Sequence, residues 1–218
     1  MSHITDCLKV YQPTLTKVRV GKANDGGYVM CRGLYYDLMI GAGIAGENSW
    51  EIDALNHLPP FLHCEAYDPV NDPGQEHPRY HFRNEPVGYS GLREARNALI
   101  KMDTEGCEFK WLDKADMSHV AQFIVEFHDP NSSNWDWSQL QRLAETHYLV
   151  HFHGNNWSEG YLEIDGILVP QTMECTYVRK DLDPGLSPSK AAIPSHLDMP
   201  NLAHKPDLMI NWAPFVNP

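Results

Sequence analysis

Paired cysteines are what this sequence lacks. Its five cysteines (Cys7, Cys31, Cys64, Cys107 and Cys175) are odd in number and widely spaced, and none forms a C-x-x-C pair. That excludes a disulfide framework or a zinc–thiolate centre as the expected scaffold and favours a reducing, cytoplasmic setting. Basic residues are few as well: 17 Lys and Arg against 29 Asp and Glu give a net charge of −12 with His neutral. Such a field repels phosphate backbones, and the cations are scattered, so nucleic acid is not an expected partner. No apolar run approaches the ~18 residues that span a bilayer, so no membrane association is expected. "MSHITDCLKV" lacks the basic region and apolar core of a signal peptide. Repeats and low-complexity tracts are also missing. What remains is a single globular domain of 218 residues, 42% hydrophobic, long enough to bury a sizeable core.

Short apolar runs ending in polar or glycine residues recur along the chain: "YDLMIGAG", "FLHCEAYD", "RYHFRN", "ALIKMD", "AQFIVEFH", "HYLVHFHG" and "TMECTYVR". Continuous runs of this length suit strands of a parallel sheet covered on both faces. Between some of them, "GENSWEIDALNHL" and "NWDWSQLQRLAETH" place Trp50, Ile52, Leu55 and Leu58, then Trp137, Leu140, Leu143 and Ala144, at helical spacing. Strand–helix alternation predicts an open α/β sheet, whose ligands sit beyond the carboxyl ends of the strands.

Three regions follow: a hairpin region over 1–36, an α/β core over 37–182 and a tail over 183–218. In the first, Val18 and Val20 are expected to pair with Tyr28 and Met30 around "NDGG". The last holds seven prolines and little periodicity. It is expected to wrap the domain through Leu197, Leu202, Leu208, Ile210 and Trp212, because disorder would leave these side chains wet.

"MIGAGIAGENSW" carries Gly41-x-Gly43-x-x-Gly46 between a strand and a helix. Glycines there let the backbone turn sharply and approach a ligand closely. Asp68 ends the second strand, where a carboxylate can accept both ribose hydroxyls of an adenosine cofactor or simply form the turn before Pro69. The pair suits either a nicotinamide dinucleotide or S-adenosylmethionine, and the loop alone does not choose.

The segments "VGKANDGGYVM", "GAGIAGENSWEIDAL", "YDP", "IKMDTEGCEFKWL", "VEFH", "HFHGNN", "ECTYVR" and "LDMPNLAHKPD" stand in the order found in FkbM-type methyltransferases. The chain resembles that family over roughly residues 17–212, most specifically in "KMDTEGCE" and "NDGGYV". The resemblance implies a class I methyltransferase (Rossmann-like) fold: a seven-stranded, mostly parallel sheet with the last strand antiparallel. It implies S-adenosylmethionine as methyl donor and O-methylation of a hydroxyl on a small molecule or carbohydrate. It matches Gly41, Gly43 and Gly46 to the donor loop, Asp68 to the ribose-binding acid, and Asp103 to the strand end beside the transferring methyl. Two features depart from the pattern. Met39 stands where many methyltransferases carry an acidic residue, and the segment between the third and fourth strands is short.

Glu126 and His128 alternate around Phe127, and His151 and His153 around Phe152, so each pair projects to one face of its strand. If these are the fifth and sixth strands, their polar ends approach Asp103. Three readings stay open. Asp103, Glu126, His128 and His153 hold a divalent metal, mixed carboxylate and imidazole ligands suiting Mn²⁺, Fe²⁺ or Zn²⁺. Alternatively His128 or His153 takes the hydroxyl proton without metal, or the histidines are structural. Near Asp103, Glu105 and Glu108 are expected at a helix start, where the dipole favours negative charge, and Gly106 at a closely packed turn. Cys107 is expected to be buried, and Trp135 and Trp137 to pack a helix. Glu174 is expected either to pair with Arg179 across the cleft or to bridge on the strand surface. Two other functional readings are a catalytically inactive binding or assembly module of the same fold and an NAD-dependent oxidoreductase.

Overall fold

The computed structural model describes residues 4–70, 72–157 and 160–217. After a one-turn helix α1 (Ile4–Cys7) and a short strand β1 (Tyr11–Gln12), the chain forms β2 (Lys17–Gly21), β3 (Gly27–Cys31) and β4 (Leu38–Ala42). Helix α2 (Ser49–His57) leads to β5 (Cys64–Tyr67), β6 (Tyr80–Arg83) and β7 (Ala98–Met102), then α3 (Glu108–Leu112). Next come β8 (Val120–His128), α4 (Trp137–Thr146), β9 (His147–Gly154), β10 (Tyr161–Ile164), β11 (Ile167–Pro170), β12 (Thr172–Arg179) and the short β13 (Ser187–Pro188).

Seven strands form the central sheet in the order β6-β5-β4-β7-β8-β12-β9. The pairings from β6 through β8 are parallel, whereas β12 runs antiparallel to both neighbours. The fold is thus α/β with a Rossmann-like, mostly parallel sheet. From β4 the chain moves outward to β5 and β6 and then returns to β7 on the other side of β4. The carboxyl ends of β4 and β7 therefore flank a topological switch point, where two connections leave in opposite directions and open a crevice.

Alternation along each strand divides the core between two faces. On one, Ile40, Ile100, Met102, Phe123, Phe127 and Phe152 pack with Leu140 and Leu143 of α4 and Phe109 and Leu112 of α3. On the other, Met39, Cys64, Ala66, Leu99 and Ile124 pack under Trp50, Ala54 and Leu55 of α2 and Val20, Tyr28 and Met30 of the β2–β3 hairpin. Cover on both faces explains the continuous apolar runs. The hairpin has the expected register, Val18 opposite Met30 and Val20 opposite Tyr28.

The tail does wrap the domain. Leu197, Leu202, Leu208 and Trp212 are half-buried and Ile210 is buried, joined by Ile193 and Phe215. Polar contacts hold it as well. Asn156 of the β9 end accepts from Leu202 N at 2.8 Å and donates to the carbonyls of Leu202, Lys205 and Pro206. His151 contacts Asp198 at 2.8 Å, and Asn24 of the hairpin loop donates to Pro200 O at 2.7 Å. Among the described residues, no helix is long and apolar enough to cross a membrane, and the cysteines are free.

Candidate active site at the switch point

The glycine loop leaves β4 at the crevice. Gly43 N donates to Tyr67 O at 3.0 Å and Asp103 N to Ala42 O at 2.9 Å, which carries the sheet's bonding past the strand ends. Gly43 has φ +76°, and a Cβ there would overlap the Asp103 carbonyl, so the two loops close only around glycine. Gly41 admits the Glu51 carboxylate of α2: a Cβ would lie 2.8 Å from its Oε1. Gly46 turns against Asp72. Asp68 directly follows β5, and its carboxylate accepts from Ala45 N at 2.9 Å and Val70 N at 2.6 Å, bracing the glycine loop.

Lys101 and Asp103 share a face of β7. Lys101 Nζ lies 4.0 Å from Asp103 Oδ2, 3.5 Å from Gly43 O and 5.0 Å over the Tyr28 ring. Burial opposes its charge, but Glu51, Asp103 and Glu126 outweigh burial and hold the ammonium above its ordinary range. Glu51 is fully buried, and among the described residues neither of its oxygens has a hydrogen-bond partner. Its carboxyl is raised by burial, with Lys101 opposing.

Tyr28 ties β3 to this cluster, its hydroxyl lying 2.9 Å from Asp103 Oδ2 and 3.0 Å from Glu126 Oε2. One hydroxyl proton serves one carboxylate, so the second contact needs a proton from a carboxyl. Burial, reinforced by the charges of Asp103 and Glu174, holds the Glu126 carboxyl well above its usual range. The Tyr28 hydroxyl thus bridges the Asp103 and Glu126 carboxyl groups. Asn155 donates to Glu126 Oε1 at 2.8 Å.

His128, at the end of β8, sets Nδ1 3.3 Å from Glu108 Oε1. Its Nε2 lies 3.7 Å from Asp103 Oδ1, 3.6 Å from Glu126 Oε1 and 3.5 Å from Glu105 Oε2. Burial works against its charge, yet contact with Glu108 and the charges of Glu126, Glu108 and Asp103 prevail and push its pKa to about 9. Asp103, Glu126 and His128 are thus brought together.

His153 is not brought to that cluster. The antiparallel β12 inserts between β8 and β9, so a line across the sheet reads Glu126, Glu174, His153. His153 spends Nδ1 on Glu174 and Nε2 on Asp207, each at 2.9 Å. Burial opposes its charge, but these two carboxylates push its pKa up to about 10, and with a carboxylate on each nitrogen His153 faces Glu174 and Asp207 rather than the Asp103 cluster.

The neighbouring segment departs from several expectations. Helix α3 begins at Glu108, which is fully buried and accepts from Thr104 N, Thr104 Oγ1 and Gly106 N at 3.0–3.1 Å. Glu105 precedes the helix in a turn with φ +53°, its side chain 86% exposed. Gly106 has φ +94° with nothing within 4 Å of a Cβ, so it serves the turn's conformation rather than close packing. Cys107 is exposed. Glu174 and Arg179 lie apart: Glu174 accepts from Asn201 at 2.6 Å, while Arg179 pairs with Asp181 at 2.7 Å. Trp135 packs on Phe109 and Phe127 as expected.

Lys101 and Glu51 escape a reading by motif. Lys101 carried a usable signal, since it alternates with Asp103 along one strand. Glu51 lay one helical turn from Ala54 and Leu55, which marks the buried face of α2. Two surface clefts lie outside the cluster. One is lined by Pro73, His77, Tyr80 and Phe82, the other by Gly106, Phe109, Trp135 and Gln139, reaching the turn that carries Glu105. No protein-family model matches this chain, and no curated protein matches it in sequence.

Proposed function

We propose that this protein is an S-adenosylmethionine-dependent methyltransferase of the FkbM type that methylates a hydroxyl on a small molecule or carbohydrate. The observation that carries this reading is the sheet order with its single antiparallel strand wedged between the fifth and sixth, combined with the placement of Gly43 and Asp103 at the switch point. That order is the one a class I methyltransferase fold calls for. S-adenosylmethionine supplies an electrophilic methyl on sulfur, and the acceptor oxygen must reach it in line.

The protein's part is chiefly positioning, which can contribute several kcal/mol. Asp103 Oδ1 accepts the acceptor hydroxyl's proton in a hydrogen bond, held in place by Tyr28 on the other oxygen. His128, held charged at neutral pH, keeps Asp103 and Glu126 oriented rather than acting as the base. Two observations favour a second reading, a catalytically silent binding or assembly module. Met39 replaces the acid common before the loop, and both Asp68 oxygens already accept backbone N–H groups.

Titration calorimetry with S-adenosylmethionine, S-adenosylhomocysteine and NAD separates the readings. Saturable binding of S-adenosylhomocysteine is the expected result. Binding of none of the three would leave the module, and binding of NAD alone would make the chain an oxidoreductase.

A further inference from the structure

We infer that Asp103, Glu126 and His128 form a site for one divalent transition-metal cation of the Mn²⁺, Fe²⁺ or Zn²⁺ class. The first argument is spacing. His128 Nε2 stands 3.6 Å from Glu126 Oε1 and 3.7 Å from Asp103 Oδ1. These separations are long for hydrogen bonds. Two ligand atoms bound at about 2.1 Å to one ion, at tetrahedral angles, lie about 3.4–3.5 Å apart. The two separations from Nε2 are close to such an edge, and one atom from each of the three side chains lies within 4.8 Å of the others.

The second argument comes from groups that are not ligands. Fully buried Glu108 places Oε1 3.3 Å from His128 Nδ1 as an ion pair rather than an aligned hydrogen bond, and among the described residues Nδ1 and Glu108 Oε2 both lack a hydrogen-bond partner. A carboxylate on the far nitrogen of an imidazole fixes the tautomer and aims the near nitrogen, which is the usual support of a metal-bound histidine. Tyr28 likewise occupies Asp103 Oδ2 and Glu126 Oε2, so that Oδ1 and Oε1 face Nε2. Among the described residues Asp103 Oδ1 has no hydrogen-bond partner although it is sealed from solvent.

Ligand chemistry sets the ion. Once the ion displaces the protons held there in its absence, two carboxylates and an imidazole suit Mn²⁺, Fe²⁺ and Zn²⁺, whereas Mg²⁺ and Ca²⁺ favour oxygen alone. Three protein ligands leave positions open on the side of Glu105, whose exposed carboxylate lies 3.5 Å from Nε2. The ion site stands on geometry alone. Its use rests on the transferase reading: there the cation would take over the acceptor hydroxyl from Asp103 Oδ1 and lower its pKa.

The test is titration of metal-stripped full-length protein with Mn²⁺, followed by electron paramagnetic resonance, with Zn²⁺ competition. We expect one equivalent of Mn²⁺ bound, displaced by Zn²⁺. Asp103→Asn and Glu126→Gln should each weaken binding at least tenfold, with folding checked by circular dichroism. Asp198→Asn, under the tail, should leave binding unchanged. Absence of Mn²⁺ and Zn²⁺ binding by folded wild-type protein would overturn the site, as would binding that survives both ligand variants. S-adenosylhomocysteine titrated into the stripped protein reads the donor site separately, so failure of one inference is distinguishable from failure of the other.

Discussion

Within residues 103–108 three carboxylates divide into different tasks, and single substitutions can separate them. Asn at position 103 keeps an oxygen for the Tyr28 hydroxyl but removes the charge facing His128 Nε2. On the proposed transferase reading, Asp103→Asn should therefore abolish methyl transfer while the melting temperature stays within a few degrees of wild type. Glu108 accepts three hydrogen bonds from its own loop and holds His128, all from a fully buried position. Hydrogen bonds to a charged group contribute about 1.5–3 kcal/mol each way of counting. Glu108→Gln should then cost about 1–3 kcal/mol in urea denaturation, and should lower the His128 pKa from about 9 as read by NMR titration. A Glu108→Gln protein of unchanged stability would contradict its bracing role.

At the scale of elements, the glycine loop and the turn after β7 offer a matched comparison. Gly43 and Gly106 both have positive φ, +76° and +94°, but only Gly43 has another chain segment in the path of a Cβ. Left-handed strain costs about 1–3 kcal/mol at either position. Overlap with the Asp103 carbonyl adds to it at Gly43. Gly43→Ala should thus destabilise clearly more than Gly106→Ala, and should also displace the Asp103 loop; equal losses in thermal melts would count against that close approach.

Elements were also where the sequence was most readable. The central strands coincide with the short runs read from the sequence, most clearly β4 and β7, which are covered on both faces and largely apolar; edge strand β6, with His81 and Arg83 exposed, is the least apolar. The β10–β11 hairpin went unread although Asp165–Gly166 marks its two-residue turn with φ +50° and +79°. Strand order is different in kind. Nothing local in "TMECTYVR" says that β12 enters between β8 and β9, and that single non-local fact moves His153 away from Asp103 while leaving His128 beside it. Buried charges such as Glu51 and Lys101 were hidden for a related reason: each is compensated by residues far away in sequence.

For the molecule as a whole, two buried histidines with opposite shifts set how stability follows pH. His153 on β9 faces Glu174 of β12 and Asp207 and Asp198 of the tail, with His151 on its own strand. Its folded pKa, about 10, lies above its ordinary value of about 6.5. The folded state therefore binds the proton more tightly, and this contribution is complete below about pH 6.5 and is lost as pH rises toward 10. His147, at the start of β9, contacts Val120 O through Nε2 at 2.8 Å, and burial pushes its pKa down to about 4. Here the unfolded state binds the proton more tightly, so stability falls as pH drops from about 6.5 toward 4. Depression of Asp198, where His151 overcomes the effect of burial, adds a loss at still lower pH. Urea denaturation at pH 5, 7 and 9.5 should therefore give a maximum near neutrality. His153→Gln should flatten the alkaline limb, because it removes the imidazolium that joins sheet to tail, and His147→Gln should flatten the acid limb. Because His128, raised to about 9, contributes to the alkaline limb as well, the clamp between β9, β12 and the tail is contradicted by an alkaline limb as steep in His153→Gln as in wild type.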